Sequence, residues 1–310
     1  MRAPIETVRW GQAPFAFRLE TPDPTLAARA REVFATWPAP PSASCAAAFR
    51  VDRIAHEEPR GCDAVARDDR ASSASGAARW RIVAEPSGER WDRESADDAL
   101  RCVEYSAVQA FVPDTSAAIA IHGALVDFGG RGALVVGPQL AGKSSLACAA
   151  WLDGAALLSD DVALVDLASA EARPGPRRVA LRHASRELLG DGVWRRILAA
   201  RSSVATDEGW CFHPSEVDGR PRRAKTTLAA VIFLARSARP ALAPGAVARI
   251  APAHAVLAWL PYLVAAGRLD PGDAIRRVAP LAARVAAWDL ERGPLPLMVA
   301  RVRKAIAGNA

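Results

Sequence analysis

The residues of this chain whose types and spacing could do chemistry lie between positions 122 and 161. Gly137-Pro138-Gln139-Leu140-Ala141-Gly142-Lys143-Ser144 satisfies G-x-x-x-x-G-K-[ST] at every fixed position. Each position has its own physical reason. The glycines let the backbone curl until successive N–H groups point inward and hold phosphate oxygens. The helix that follows, through Ser144 and Ser145, turns its positive end toward the same anion. Lys143 can reach the β- and γ-phosphates, and the Ser144 hydroxyl suits Mg²⁺. Residues 137 to 145 therefore read as a nucleotide phosphate loop.

Asp160 and Asp161 close the apolar run Ala155 to Leu158. In a phosphate-loop protein, a carboxylate at the end of a neighbouring strand holds Mg²⁺ or its bridging water. A second carboxylate beside it can instead take the proton of an attacking hydroxyl. His122 precedes Gly123 in an apolar run. On its own it reads as a satisfied strand histidine.

These groups need a frame. Ile119 to Phe128 and Ala133 to Val136 are apolar β-type runs joined by the tight-turn signal Gly129-Gly-Arg-Gly132. The glycine loop follows, then a helix from Lys143 to Trp151, then Ala155 to Asp161 and a strand from Val162 to Leu167. Strand, loop, helix, strand is a βαβ unit and predicts an α/β core. Further on the sequence predicts a strand at Val179 to Leu181, a helix around Ser185 to Ala200 and a strand at Ala229 to Ala235. Late helices are expected at Pro252 to Ala266, Pro271 to Ala287 and Leu297 to Ala307.

The order His122-Gly123, Gly137 to Ser144, Leu158-Ser-Asp-Asp161 resembles the catalytic domain of HPr kinase/phosphorylase and its related kinases. The spacings, 21 residues from His122 to Lys143 and 18 from Lys143 to Asp161, are similar to the family's own. The resemblance spans about residues 115 to 310 and is strongest from 119 to 167. It implies a P-loop kinase core using ATP and Mg²⁺, with His122 in the active site near the transferred phosphate. It further implies Asp161 as proton acceptor, Lys143 on the γ-phosphoryl, and Ser144 and Asp160 beside the metal. The acceptor would be a serine of a peptide or protein, such as a short precursor peptide. A small hydroxylated molecule is the alternative acceptor, and a nucleotide-binding regulator without transfer activity is the alternative role. The family also admits a homo-oligomer.

The chain departs from that family downstream. No E-I-R-G-type segment is present, and the nearest stretch, Leu181-Arg-His-Ala-Ser-Arg-Glu187, makes Arg182 and Glu187 weak candidates at best. A phosphorolysis signature is absent. Trp210-Cys-Phe-His-Pro-Ser-Glu216 resembles the downstream half of the related kinases, but His213 and Glu216 read as loop residues entering a buried strand. No N/T-K-x-D base-reading motif and no L-S-G-G-Q string occurs, which removes GTPase and ABC-type readings.

Composition sets the bounds. The 310 residues are 51% hydrophobic and 24% charged, which excludes a disordered chain, a collagen-like fibre and a small disulfide scaffold. The net charge is +6, and all but three of the 40 basic residues are arginine. The arginines are scattered, so no nucleic-acid footprint is expected. The five cysteines carry no CxxC pair and predict neither zinc nor disulfides. No secretory h-region or membrane span is legible, so a cytoplasmic protein without membrane partners is expected.

The reading divides the chain into an α+β accessory or substrate-recognition region, 1–112, and a catalytic domain, 113–310. In the first region, strands are expected at Phe15 to Glu20, Ala46 to Ile54, Ala78 to Ala84 and Arg90 to Arg93, the last two as a hairpin. Helices are expected from the Thr21-Pro-Asp-Pro start to about Thr36 and from Ser95 to Phe111. A breaker cluster at 37–42 and a charged, Ser-rich run at 57–76 read as loops.

Overall fold

The computed structural model describes residues 4–12, 15–35, 37, 44–54, 79–110, 117–206, 208–221, 223–234, 244–264 and 270–308. It separates into two compact units, Met1–Ala110 and Phe111–Ala310. The loop expected at 57–76 and most of the one at 37–42 lie outside the described residues.

The first unit contains β1 (Glu6–Gln12), β2 (Phe15–Thr21), α1 (Pro24–Phe34), β3 (Ser44–Ile54), β4 (Arg79–Glu85), β5 (Arg90–Arg93) and α2 (Ala96–Ala110). The strands form one sheet in the order β1-β2-β3-β4-β5. Their inward positions, among them Trp10, Phe17, Leu19, Phe49, Val51 and Ile82, are buried. Alternate outward positions carry charge, and pairs such as Arg81 with Asp92 at 2.9 Å cross the strands. That is the period of two expected of a sheet covered on one face. Helix α1 starts where Asp23 accepts from the N–H groups of Thr25 and Leu26, with Pro24 at the first helical position. Its Phe34 stacks on Trp10 with ring centroids 4.2 Å apart. Strand β1 was not expected, because Arg9 and Gly11 interrupt its apolar pattern.

The second unit runs β6 (Ala118–His122), β7 (Ala124–Asp127), β8 (Arg131–Val136), α3 (Lys143–Leu152), β9 (Ala156–Ser159), β10 (Val162–Asp166), β11 (Glu171–Pro174) and β12 (Val179–Arg182). It continues through α4 (Ser185–Ala199), β13 (Val204–Thr206), β14 (Gly209–Phe212), α5 (Pro214–Asp218), β15 (Thr226–Leu234) and β16 (Val247–Ile250). The last elements are α6 (Pro252–Trp259), α7 (Pro271–Arg284), β17 (Ala286–Leu290) and α8 (Leu295–Ala307). The architecture is mixed α/β. A nine-stranded sheet runs β6-β10-β11-β15-β8-β7-β9, with β17 on β15 and β16 on β17. A small sheet, β12-β14-β13, stands apart.

Strands β8, β15 and β17 are mutually parallel and form the centre of the large sheet. Successive residues of Leu134-Val-Val136 and Val231-Ile-Phe-Leu234 enter opposite cores. One core is built with α3, α4 and α8, the other with α6 and α7. Burial on both faces explains their continuous apolar sequence. Their carboxyl ends lie at the glycine loop.

Four expectations are corrected. The run 119–128 is not one strand: it breaks at Gly123 into β6 and β7, which pair with β10 and β8 respectively. The helix expected to Ala287 ends at Arg284, because Ala286–Leu290 adds β17 along the carboxyl half of β15, overriding alanine's helix propensity. The α-helix from Pro252 stops at Trp259 and tightens into a 3₁₀ turn, Leu260–Tyr262, around Pro261. The helix from Ser185 is interrupted at Gly190, whose φ of 74° is not helical.

Candidate active site

The glycine loop joins the carboxyl end of β8 to α3. Gly137 lies so close to β15 that a Cβ there would sit 3.0 Å from the Leu234 carbonyl oxygen. Gly142 caps α3 at φ 97°, a conformation that favours glycine, and no side chain caps the helix. Leu140, at the exposed tip, also has positive φ, 64°. The Lys143 side chain folds back across the loop, and its Nζ donates to the carbonyls of Gly137 at 2.9 Å and Pro138 at 3.1 Å. Lys143 is only 9% exposed. Burial lowers its pKa, against the attraction of Asp161 and Asp160.

Asp160 and Asp161 form the link between β9 and β10. The Ser159 hydroxyl ties the turn by donating to the Val162 carbonyl at 2.9 Å and accepting from the Asp161 N–H at 3.3 Å. The two carboxylates have different partners. Asp160 accepts from the backbone N–H of Ala180 at 3.1 Å. Asp161 Oδ1 lies 3.0 Å from His122 Nδ1, and Oδ2 accepts from Arg177. His122 is placed for this because Val162 pairs with it across β10 and β6. Next to it, the Gly123 N–H donates to the Asp161 carbonyl at 2.7 Å.

These environments drive the carboxylates apart electrostatically. Burial pushes Asp160 up to about 7; Asp161 adds to the rise while Arg177 and the Ala180 N–H oppose it. Burial also works to raise Asp161, but hydrogen bonds and charge from His122 and Arg177 outweigh it and hold it below its ordinary value. One fold thus yields an easily protonated carboxyl beside a firmly ionised one. The side-chain exposures, 45% for His122 against 21% for Asp161, leave the histidine open to solvent.

The sequence reading did not select Arg177. It sits in the turn between β11 and β12, where Gly175 N–H donates to Val162 O at 2.8 Å and Arg177 N–H to Gly175 O at 2.8 Å. Its neighbour Arg178 is fully buried and donates to the Ser202 carbonyl at 2.8 Å. The signal available was Arg173-Pro-Gly-Pro-Arg-Arg178, a rigid turn ending in paired cations. The weaker candidates go elsewhere: Arg182 lies 3.6 Å from Glu208, and Glu187 is exposed in the first turn of α4. Glu216 accepts from the N–H and hydroxyl of Ser202, at 3.0 and 2.8 Å, and His213 N–H donates to the same hydroxyl. Both hold the small sheet to α5.

Among the described residues, no group of three or more His, Cys, Asp and Glu could hold a metal ion. None of the helices is long and apolar enough to cross a membrane.

No protein-family model and no curated protein sequence matches the chain. Among solved structures, the HPr(Ser) kinase/phosphatase of Coxiella burnetii aligns with 61% of this chain and 98% of its own, at 13% identity and a TM-score of 0.31.

Proposed function

We propose that this protein is an ATP-dependent kinase that transfers the γ-phosphoryl group to a serine hydroxyl of a peptide or protein. One observation carries the reading: a lysine-bearing glycine loop and a carboxylate held by His122 and Arg177 belong to one electrostatic cluster, since Lys143 feels both Asp160 and Asp161. On this reading residues 137–145 take the triphosphate. The uncapped amino end of α3 supports an anion there. Lys143 exchanges its two carbonyl partners for phosphate oxygens, recovering the solvation it lost on burial.

The donors present suit Mg²⁺, a hard cation that accepts hydroxyl and carboxylate oxygen. Ser144 and Asp160 would hold it, and a cation against Asp160 would offset the burial that raises its pKa. With no larger cluster of protein ligands among the described residues, phosphate oxygens and water would complete its shell. When bound, the ion neutralises phosphate charge and stabilises the leaving oxygen.

Asp161 takes the acceptor's proton. Each of its oxygens keeps a second lone pair beside the one engaged by His122 or Arg177. As the acceptor oxygen bonds to the γ-phosphorus, the bond to the β–γ bridging oxygen breaks, the proton passes to Asp161 and ADP leaves. Low basicity is tolerable because phosphoryl transfer depends mainly on positioning and charge stabilisation. The test is phosphate incorporation from γ-labelled ATP into an array of serine-containing peptides, for wild type, Lys143→Ala and Asp161→Asn. Incorporation that is lost in both variants supports the proposal, and equal incorporation in all three removes it.

A second reading has its own support, since both Asp161 oxygens already carry strong partners. Such a site suits a nucleotide-binding regulator. ATP binding without transfer to any peptide or small hydroxylated acceptor would favour it.

A further inference from the structure

We propose that Arg177 is a catalytic residue: its guanidinium meets the phosphoryl group in flight while its neighbour Asp161 receives the acceptor's proton. The inference rests on the kinase reading above and adds a residue to it.

The argument begins with where the cation stands. Arg177 contacts the very carboxylate assigned to the acceptor, so the acceptor oxygen and the guanidinium share one partner. An oxygen that hands its proton to Asp161 must approach within hydrogen-bond reach of that carboxylate. The phosphorus it attacks is then one bond further on. A guanidinium carries five N–H donors in a plane, enough to serve Asp161 and a phosphoryl oxygen at the same time.

The turn bearing Arg177 is built to hold it there. Gly175 is bonded to the backbone of Val162, the residue after Asp161, and Ala180 is bonded to the Asp160 carboxylate at 3.1 Å. Both ends of the turn are therefore fastened to the strand link that carries the two aspartates. Arg178 anchors the middle from the other side, fully buried with its Nη1 2.8 Å from the Ser202 carbonyl. Arg177 itself is 20% exposed, so its placement does not depend on a floppy surface chain.

Charge then decides when Arg177 acts. Before transfer its positive charge is balanced by ionised Asp161. As Asp161 takes the proton, its share of that balance falls, and the guanidinium acts more strongly on the phosphoryl group while charge spreads over its equatorial oxygens. Stabilisation that appears only at this stage raises the rate without tightening substrate binding.

The test compares Mg·ADP with Mg·ADP plus aluminium fluoride, a mimic of the phosphoryl in flight, by calorimetry on the full chain. Wild type, Arg177→Ala, Arg177→Lys and the exposed control Arg182→Ala are each measured. Arg177→Ala should keep Mg·ADP affinity within about threefold yet lose at least about a hundredfold for the fluoride complex, in line with arginines that act on transferring phosphoryl groups. Arg177→Lys should regain part of that loss, and Arg182→Ala should match wild type. An Arg177→Ala protein that binds both ligands as wild type does, or loses both equally, overturns the proposal. If the alanine variant does not fold, the lysine variant decides by the same comparison. Failure of wild type itself to bind Mg·ADP would sink the kinase reading instead.

Discussion

The backbone N–H of Gly123 donates to the carbonyl oxygen of Asp161 at 2.7 Å, so the break between β6 and β7 is tied directly to the double aspartate. Its neighbour His122 lies on the side-chain carboxylate of the same aspartate through Nδ1. The glycine is required by a close approach: a Cβ at this position would stand 2.7 Å from the Val135 carbonyl oxygen and 2.9 Å from Val136 Cγ1. Gly123 thus lets β6 and β7 pair with different strands while the histidine stays in place.

Gly123→Ala should therefore be costly. Forcing a methyl group against strand backbone typically costs about 1–3 kcal/mol. For a unit of this size that lowers the melting temperature by roughly 2–12 °C, at about 2–4 °C for each kcal/mol. Thermal unfolding of the purified variant checks this. A melting temperature equal to wild type would show that β8 yields freely and that the glycine is not a constraint.

His122→Gln should slow transfer without weakening nucleotide binding. The histidine's contact is with Asp161, and the loop proposed to take the phosphates lies on another element. A hydrogen bond to a charged group is worth about 1.5–3 kcal/mol, or roughly a tenfold to hundredfold change in rate. The expected pattern is kcat down by that factor with KM for ATP within about threefold. A rise in KM with kcat unchanged would place His122 on the nucleotide instead.

The glycine loop, the double aspartate and the central apolar strands were legible in the sequence because each depends on local pattern. Gly142 and Lys143 are neighbours in the chain, and β8 is apolar from Ala133 to Val136. The elements that escaped depend on distant pairing. Strand β17 exists because β15 leaves its carboxyl half open on one edge, and nothing within Ala286–Leu290 announces that. Arg177 escaped for a related reason. Its partner is 16 positions away, and among 37 arginines a single guanidinium carries no signal until the turn folds it onto Asp161. Arg182, only a weak candidate in the sequence, lies beside Glu208 instead.

Lys143→Ala should abolish transfer and weaken ATP binding. Loss of charge-assisted bonds to phosphate is worth about 1.5–3 kcal/mol, which corresponds to a Kd raised roughly tenfold to hundredfold. Lys143→Arg should fail as well. The ammonium sits within 2.9 and 3.1 Å of two carbonyls in a pocket that leaves it 9% exposed, and a planar guanidinium cannot occupy the same point. Calorimetric titration with ATP distinguishes the cases. An arginine variant that binds and transfers normally would show that the loop accepts any cation.

Asp160→Asn tests the raised carboxyl through stability, without any substrate. Between about pH 4 and pH 7 the unfolded chain has released the Asp160 proton while the folded protein retains it, because burial lifts its pKa to about 7. The folded state then binds more protons than the unfolded state, so this group's contribution to stability falls as pH rises through that range. Asp161, held low by His122 and Arg177, has the opposite sign, contributing above its unfolded value and losing that contribution only in more acidic solution. The gap between about 4 and about 7 corresponds to at most about 4 kcal/mol against folding once Asp160 is ionised. An amide keeps the shape of the side chain, can accept from the Ala180 N–H and carries no charge. Asp160→Asn should thus melt several degrees higher than wild type at pH 8, with the difference shrinking steadily as the pH falls toward about 4, measured by thermal unfolding in metal-free buffer. A constant difference across that range would mean that Asp160 is ionised throughout, and that the buried carboxyl is already balanced by Arg177 and its backbone partner.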